Sequence, residues 1–476
     1  MKLVQLSMLS LAVLASSPFV IANNGFKTDQ SPIAYTETHD QIGNESNNNK
    51  LSADLTQKLS SIKDGESVVV IISLVEGASD SVKTVLDQYG ISYQNLLAVP
   101  VPPSSTLVSA SVTITKRSIL KLSDINEISF VNLPSIVKTS STSNENQSQR
   151  NTITKFTEYD GVHFNTKYTG KGVTVAVFDS GINPNHPQLK NNVIAHYCFS
   201  DYFDQGKSTK TCPTNYHGQK NLENHGTHVA GIVGAKPLQG GAPMGVAPNV
   251  ELINIRVLHK GGNELDTVSA LSKINSDPKL ADIKIINMSM NTDNAKFHGE
   301  CDNQLVTDTQ KTIKGWIDYL TEVKKIHFTV STGNDSLEGY HNFPACLKNV
   351  ISVANNHHKD VTTALGTLFN SDTLTNSSNI SSSTTITAPG NNISSTNADF
   401  KKGDLSSYSK SLSGTSMAAP AVAGCIALML EKKPDLTPSQ TKEIITRSAY
   451  IQASRKNDHD YVVPVLDCKI ALLMTF

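Results

Sequence analysis

The sequence predicts an α/β protein: a parallel sheet with helices on both faces, three layers in all, behind a small α+β domain. Residues 173–178, 250–257, 283–288, 326–331 and 350–353 are short, largely apolar runs with helical or loop segments between them. Strands that lack strict apolar–polar alternation are buried on both faces, the condition of a parallel sheet covered by helices. Upstream, residues 66–135 follow the order β-α-β-β-α-β, the ferredoxin-like arrangement. The composition is globular, 38% hydrophobic and 17% charged, and the 476-residue length leaves room for a large core. With 41 basic and 42 acidic side chains the net charge is −1. That balance excludes a general polyanion binder, so no nucleic-acid partner is expected.

Residues 1–22 begin with Lys2, run through an apolar stretch and end in Val20-Ile21-Ala22, the pattern of a secretory signal peptide. Gln5, Ser7, Ser10, Ser16, Ser17 and Pro18 interrupt the run, which favours cleavage after Ala22 over a membrane anchor. No later stretch approaches the ~18 apolar residues of a membrane span. The protein is therefore expected to be secreted: extracellular, periplasmic or at the cell surface. Residues 23–65, including Asn44-Glu45-Ser46-Asn47-Asn48-Asn49, hold little to bury and read as a flexible leader. Within 66–135, strands are expected at 67–74, 91–101, 106–113 and 125–131, and helices at 79–89 and 114–122. Residues 136–154 are almost free of apolar side chains and read as a linker open to cleavage. The α/β domain is expected to fill 155–476, with a Ser-, Thr- and Asn-rich surface insertion at 371–399, interrupted by the buried-looking run 386–389.

An exported chain meets oxidising conditions, so its six cysteines are expected in disulfides. None forms a C-x-x-C pair, which removes support for zinc ribbons and thioredoxin-type chemistry. Pairing neighbours along the chain gives Cys198–Cys212, Cys301–Cys346 and Cys425–Cys468.

Three segments carry the chemistry. Asp179-Ser180-Gly181 ends the apolar run 173–178; His225-Gly226-Thr227-His228 opens a helical stretch; Gly414-Thr415-Ser416-Met417 precedes a helix of small apolar residues. A serine hydroxyl becomes a useful nucleophile when a neutral imidazole nitrogen takes its proton, and a buried carboxylate fixes that imidazole's tautomer. A serine at a helix N-terminus also has backbone N–H groups beside it, suited to a developing oxyanion. Singly, each residue has an ordinary reading: Asp179 a turn residue, Ser416 an N-cap, His225 and His228 a metal pair. No acid lies between the histidines as in H-E-x-x-H, and Ala418 breaks the G-x-S-x-G elbow.

Together, in the order Asp…His…Ser, the blocks resemble the subtilisin-like (subtilase) serine peptidases from about residue 160 to the C-terminus. The resemblance implies a subtilisin-like fold and the acyl-enzyme mechanism worked out for subtilisin. Asp179 would orient the imidazole, His225 serve as general base and then acid, and Ser416 be the nucleophile. Asn334, in Val330-Ser331-Thr332-Gly333-Asn334, matches the oxyanion-hole asparagine. Ser289, Met290 and Asn291 match one substrate-pairing strand, with Gly261 and Gly262 on the other side. The domain at 66–135 resembles the subtilase propeptide, a folding template and inhibitor whose tail would be cut within 134–152. Expected partners are protein or peptide substrates and the chain's own propeptide, with the mature protease a monomer.

Two departures from the family pattern stand out. Asn291 and Asn342 occupy positions where pocket glycines are usual, which would narrow the primary specificity pocket. Gln188 replaces a calcium-binding aspartate, and residues 237–242 lack the oxygen ligands that hard cations require. No metal or cofactor is expected in the chemistry, and structural calcium is left open. The rival readings are a catalytically silent secreted binding protein on the same fold, and an esterase.

Overall fold

The computed structural model describes residues 50–75, 78, 80–98, 109–139, 167–200, 202–204, 207–209, 224–238, 244–258, 262–293, 295–357, 361–362, 368–369, 373–449, 452–455 and 458–476. The signal segment, residues 23–49 and residues 140–166 lie outside them.

The small domain begins earlier than its composition suggests. Helix α1 (Ala53–Ser61) starts at Ser52, whose side chain accepts from the Leu55 N–H at 3.4 Å. Leu55 and Leu59, one turn apart, are buried on the same face, and Leu51 bridges to Val131. The flexible leader assigned to 23–65 is corrected accordingly: two buried leucines are enough to dock a nine-residue helix that is otherwise polar. Then follow β1 (Ser67–Leu74), α2 (Val82–Gln88), β2 (Gln94–Ala98), β3 (Ser109–Thr115), α3 (Lys116–Leu122) and β4 (Ile128–Asn132). Ser81 and Thr115 cap α2 and α3. The sheet is antiparallel, in the order β2-β3-β1-β4, which is ferredoxin-like. Its core joins Val70 and Ile72 of β1 to Val85, Ile119 and Leu55 of the helices.

The linker expected over 136–154 is also corrected. Its first residues form β5 (Ile136–Thr139), a strand with no periodicity of its own that exists because it pairs on both edges.

In the large domain come β6 (Thr174–Asp179), β7 (Val193–Cys198), α4 (Asn224–Gly234), β8 (Glu251–Arg256), β9 (Gly262–Asn263), α5 (Glu264–Ser276), β10 (Ile283–Met288), β11 (Met290–Thr292), α6 (Asp308–Glu322), β12 (His327–Ser331), β13 (Ile351–Asn356), β14 (Ile386–Pro389), α7 (Thr415–Lys432), α8 (Pro438–Arg447) and α9 (Cys468–Met474). Seven strands make one all-parallel sheet, ordered β14-β13-β12-β10-β6-β8-β7. Side chains of β6 alternate between two cores. Val175 and Val177 pack with α4 and α7, while Ala176 and Phe178 pack with α5 and α6. This is the predicted three-layer α/β architecture.

Disulfides Cys301–Cys346 and Cys425–Cys468 are as expected, the second tying α7 to α9. Cys198 is disulfide-bonded as well, and its expected partner Cys212 lies outside the described residues. The surface insertion expected at 371–399 is corrected: Leu374, Ser378, Asn379 and Ile380 are fully buried, and residues 393–396 are buried too. Its hydroxyls and amides find partners inside the fold, so a polar composition did not mean an exposed segment. Among the described residues, no helix is long and apolar enough to cross a membrane.

Candidate active site

The sheet delivers the site at the carboxyl ends of its strands, where open α/β sheets present functional groups. Asp179 is the last residue of β6 and is fully buried. Its Oδ1 accepts from the Ser180 N–H at 2.6 Å. His225 stands in the first turn of α4, with Nδ1 2.8 Å from Asp179 Oδ1 and 2.9 Å from Oδ2. A carboxylate only accepts, so Nδ1 carries the proton and Nε2 is left as the acceptor. Gly226 permits this approach, because a Cβ there would lie 2.3 Å from the Gly181 carbonyl oxygen.

Ser416 is fully buried in the first turn of α7. Gly414, at φ +145°, turns the chain into that helix. Ser416 Oγ donates to the Ser289 carbonyl at 3.0 Å, while Ser289 Oγ donates to the Ser416 carbonyl at 2.9 Å. The second bond has a local cause: Pro420, four residues on, has no N–H to offer that carbonyl. His225 Nε2 is buried and has no hydrogen-bond partner among the described residues. The Ser416 hydroxyl is thus turned toward Ser289 instead of the imidazole; hydroxyl–imidazole contacts of this kind commonly form only with substrate in place.

Asn334 follows β12. Its Oδ1 accepts from the Thr415 N–H at 3.0 Å, which fixes the amide and leaves Nδ2 buried with no partner among the described residues. A donor held in this way awaits an oxygen.

The cleft is already filled by the chain itself. β5 lies antiparallel between β9 and β11 in a three-stranded sheet. Val137 is opposite Gly262 on one side and Thr292 on the other, with Lys138 opposite Asn291 and Thr139 opposite Met290. Lys138 Nζ pairs with Asp293 at 2.7 Å. Met290, Asn291 and Gly262 thus pair with β5, Ser289 stands just before that edge, and Gly261 lies outside the described residues.

Beside Asn334 lies a network of hydrogen-bonded side chains. Asn342 Nδ2 donates to Asp335 Oδ2 at 2.8 Å, and Asn379 Nδ2 donates to Asn342 Oδ1 at 3.2 Å. Asn379 Oδ1 accepts from the N–H groups of Asp335 and Leu337. A Cβ on Gly333 would meet both amides, at 2.4 and 3.0 Å. Burial acts to raise the Asp335 carboxyl, but the Asn342 hydrogen bond, the Lys296 charge and Asn379 together hold it below the usual range. Asp335 and Asn379 were not anticipated. Asp335 directly follows Asn334 and was within reach of sequence reasoning, whereas Asn379 sits in a tract whose composition concealed it.

The metal-pair alternative for His228 fails on geometry. Its Nε2 lies 3.0 Å from the carbonyls of both Ile393 and Lys410, and burial pushes its pKa down to about 3. Gln188 is buried, its amide donating to the Lys236 carbonyl at 2.9 Å; residues 239–243 of the neighbouring loop are outside the described set.

Residues 170–463 match the family model described as the subtilase family. The chain is 31% identical over 297 residues to serine protease AprX of Bacillus subtilis, covering 58% of this chain and 61% of that protein. It is 31% identical over 308 residues to an extracellular protease of Xanthomonas campestris, covering 60% of this chain and 48% of that one. Less than two thirds of either relative is spanned. Among solved structures, the epidermin leader peptide processing serine protease of Staphylococcus aureus superposes with a TM-score of 0.60 at 21% identity, over 86% of this chain and 99% of that one. Fervidolysin of Fervidobacterium pennivorans gives 0.57 at 20%, over 87% and 62%. At these identities the two structures show a shared fold.

Proposed function

The chain belongs to the subtilase family, and from that premise we propose that it is a secreted serine endopeptidase held as a precursor by its own N-terminal domain. The observation that carries this reading is β5. It lies as an extended strand between β9 and β11, and its Thr139 end pairs with Met290, next to the Ser289 whose carbonyl accepts from Ser416 Oγ.

The chemistry follows from the geometry. Ser416 Oγ leaves the Ser289 carbonyl, gives its proton to His225 Nε2 and attacks the peptide carbonyl. The oxyanion is received by Asn334 Nδ2 and the Ser416 N–H, which as a first-turn amide has no acceptor within its helix. His225 then protonates the departing amine, and water releases the acyl group by the same route. All the reacting groups come from the chain, so the reaction as written calls on no cofactor. A strand-shaped guest favours a peptidase over an esterase. The intact set Asp179, His225, Asn334 and Ser416 disfavours a silent binding protein.

Thr139, the last residue of β5, pairs with Met290, whose neighbour Ser289 exchanges hydrogen bonds with Ser416. Self-cleavage is therefore expected within about two residues beyond Thr139, one strand step each. Intact mass should show wild-type protein shortened there and Ser416→Ala at full length. Organophosphonate labelling and casein digestion should likewise be lost in the variant. Maturation of Ser416→Ala at the wild-type rate would overturn the reading.

The Asn342–Asp335–Asn379 network also sets an expectation for substrate choice. Cleavage after Phe or Leu should be at least about tenfold slower than after Ala or Ser, as when a pocket is short by a few methylenes. A side-chain-resolved peptide library tests this, and a strong Phe or Leu preference refutes it.

A further inference from the structure

Glu264, the first residue of α5, is 1% exposed. Its Oε1 accepts from Thr292 Oγ1 at 2.9 Å, and Oε2 is buried with no hydrogen-bond partner among the described residues. Capping does not explain the carboxylate. The capping box of α5 is made by Asn263 and Asp266, whose side chains bond each other's backbone N–H groups. Glu264 instead lines a small cavity under the cleft strand, together with Val137 of β5, Met290 and Thr292 of β11, Thr267 of α5, Ile313 of α6, and Phe343. Thr292, its hydrogen-bond partner, is also the residue opposite Val137.

We propose that Glu264 is a specificity residue: its carboxyl recognises a hydrogen-bond-donating side chain, a hydroxyl or an amine, on the substrate residue that takes the place of Val137. The inference rests on the peptidase reading above. A valine cannot satisfy Oε2, the Ser135 hydroxyl draws on the carboxyl without reaching hydrogen-bond geometry at that oxygen, and a buried acceptor left unmade is costly. The precursor's own tail is thus a poorly matched guest, and a substrate with a donor at this position is a better one. Burial raises the Glu264 carboxyl to about 7, against the opposing pull of the Thr292 and Ser135 hydroxyls. The preference therefore strengthens as pH rises through neutrality. Charges on the surrounding elements are engaged elsewhere: Lys138 with Asp293, Asp266 with the Asn263 N–H, and Lys314 of α6 with Asp318.

The test uses the full chain in the Ser416→Ala form, whose tail stays uncut, so it does not depend on catalysis. Val→Thr burial ordinarily destabilises. Here Val137→Thr should raise the melting temperature at pH 8, and more so than at pH 5. In the Glu264→Leu background the same swap should lower it. Glu264→Gln, which keeps an acceptor, should preserve the gain without its pH dependence. In the matured enzyme, a peptide with Thr at that position should exceed its Val counterpart about fivefold in kcat/KM, through KM, as befits one added hydrogen bond. That ratio should fall to one in Glu264→Leu. A Val137→Thr effect that is the same in both backgrounds overturns the proposal. Coupling present in Ser416→Ala but no peptide cleavage by wild type would instead refute the peptidase reading and leave Glu264's role standing.

Discussion

Asp179→Asn is expected to slow the chain's self-cleavage about 10⁴-fold while leaving its fold intact, the magnitude seen when a triad carboxylate becomes an amide. The geometry explains why so small a change has so large an effect. The substitution exchanges one carboxylate oxygen for an NH₂ group. The oxygen that stays can still accept the Ser180 N–H that Asp179 Oδ1 receives at 2.6 Å. The new amide nitrogen then faces His225 Nδ1, where a carboxylate oxygen had accepted at 2.9 Å. A donor in that place makes Nδ1 the acceptor and moves the ring proton to Nε2, the nitrogen that must take the proton of Ser416. Packing is unchanged, so the melting temperature should barely move. Intact mass against time measures the rate, and near-wild-type processing would show that Asp179 does not set the tautomer.

Acid should unfold the protein sharply between about pH 6 and 4.5, below the ordinary histidine pKa and above the folded values. His186, His228, His327 and His341 are each at most 1% exposed. Burial pushes their pKa values down from 6.5 to about 4, 3, 4 and 3 respectively. In the unfolded chain these rings take up protons near pH 6.5, whereas in the fold they stay neutral, so falling pH favours the unfolded state. Their stabilising contribution is complete above pH 6.5 and is lost as pH falls toward the folded values. Glu264 acts in the opposite sense, since its raised pKa favours the fold at low pH. Over these five groups the net difference of about three protons corresponds to roughly 4 kcal/mol per pH unit. Denaturant midpoints of Ser416→Ala measured across that range check the slope, and His327→Asn should reduce it by about one proton. A flat profile from about pH 6.5 to 4.5 would refute the expectation.

The parts legible in the sequence are those whose constraints are local. The blocks around Asp179, His225 and Ser416 are legible because the neighbours are forced too: Gly226 by a 2.3 Å approach and Gly414 by its φ of +145°. The buried parallel strands declare themselves by apolar runs. What escaped depends on partners distant in sequence. β5 has four unremarkable residues and becomes a strand only between β9 and β11. Of its nine residues α1 buries Leu55 and Leu59. Asn379 is drawn into its buried network by Asp335 and Asn342, which precede it by 44 and 37 residues. Glu264 reads as an ordinary first-turn acid until the strand above it is seen to seal it from water.

On the peptidase reading proposed above, the three-stranded arrangement around β5 bounds what the chain can digest. Once the tail departs, β9 and β11 offer two short bare edges, and a victim must lie flat between them with both of its own edges unpaired. Helices and interior strands of a folded prey cannot meet that demand without first coming apart. Digestion of native proteins should therefore keep pace with their local fraying, making the protease a reporter of how often its targets breathe.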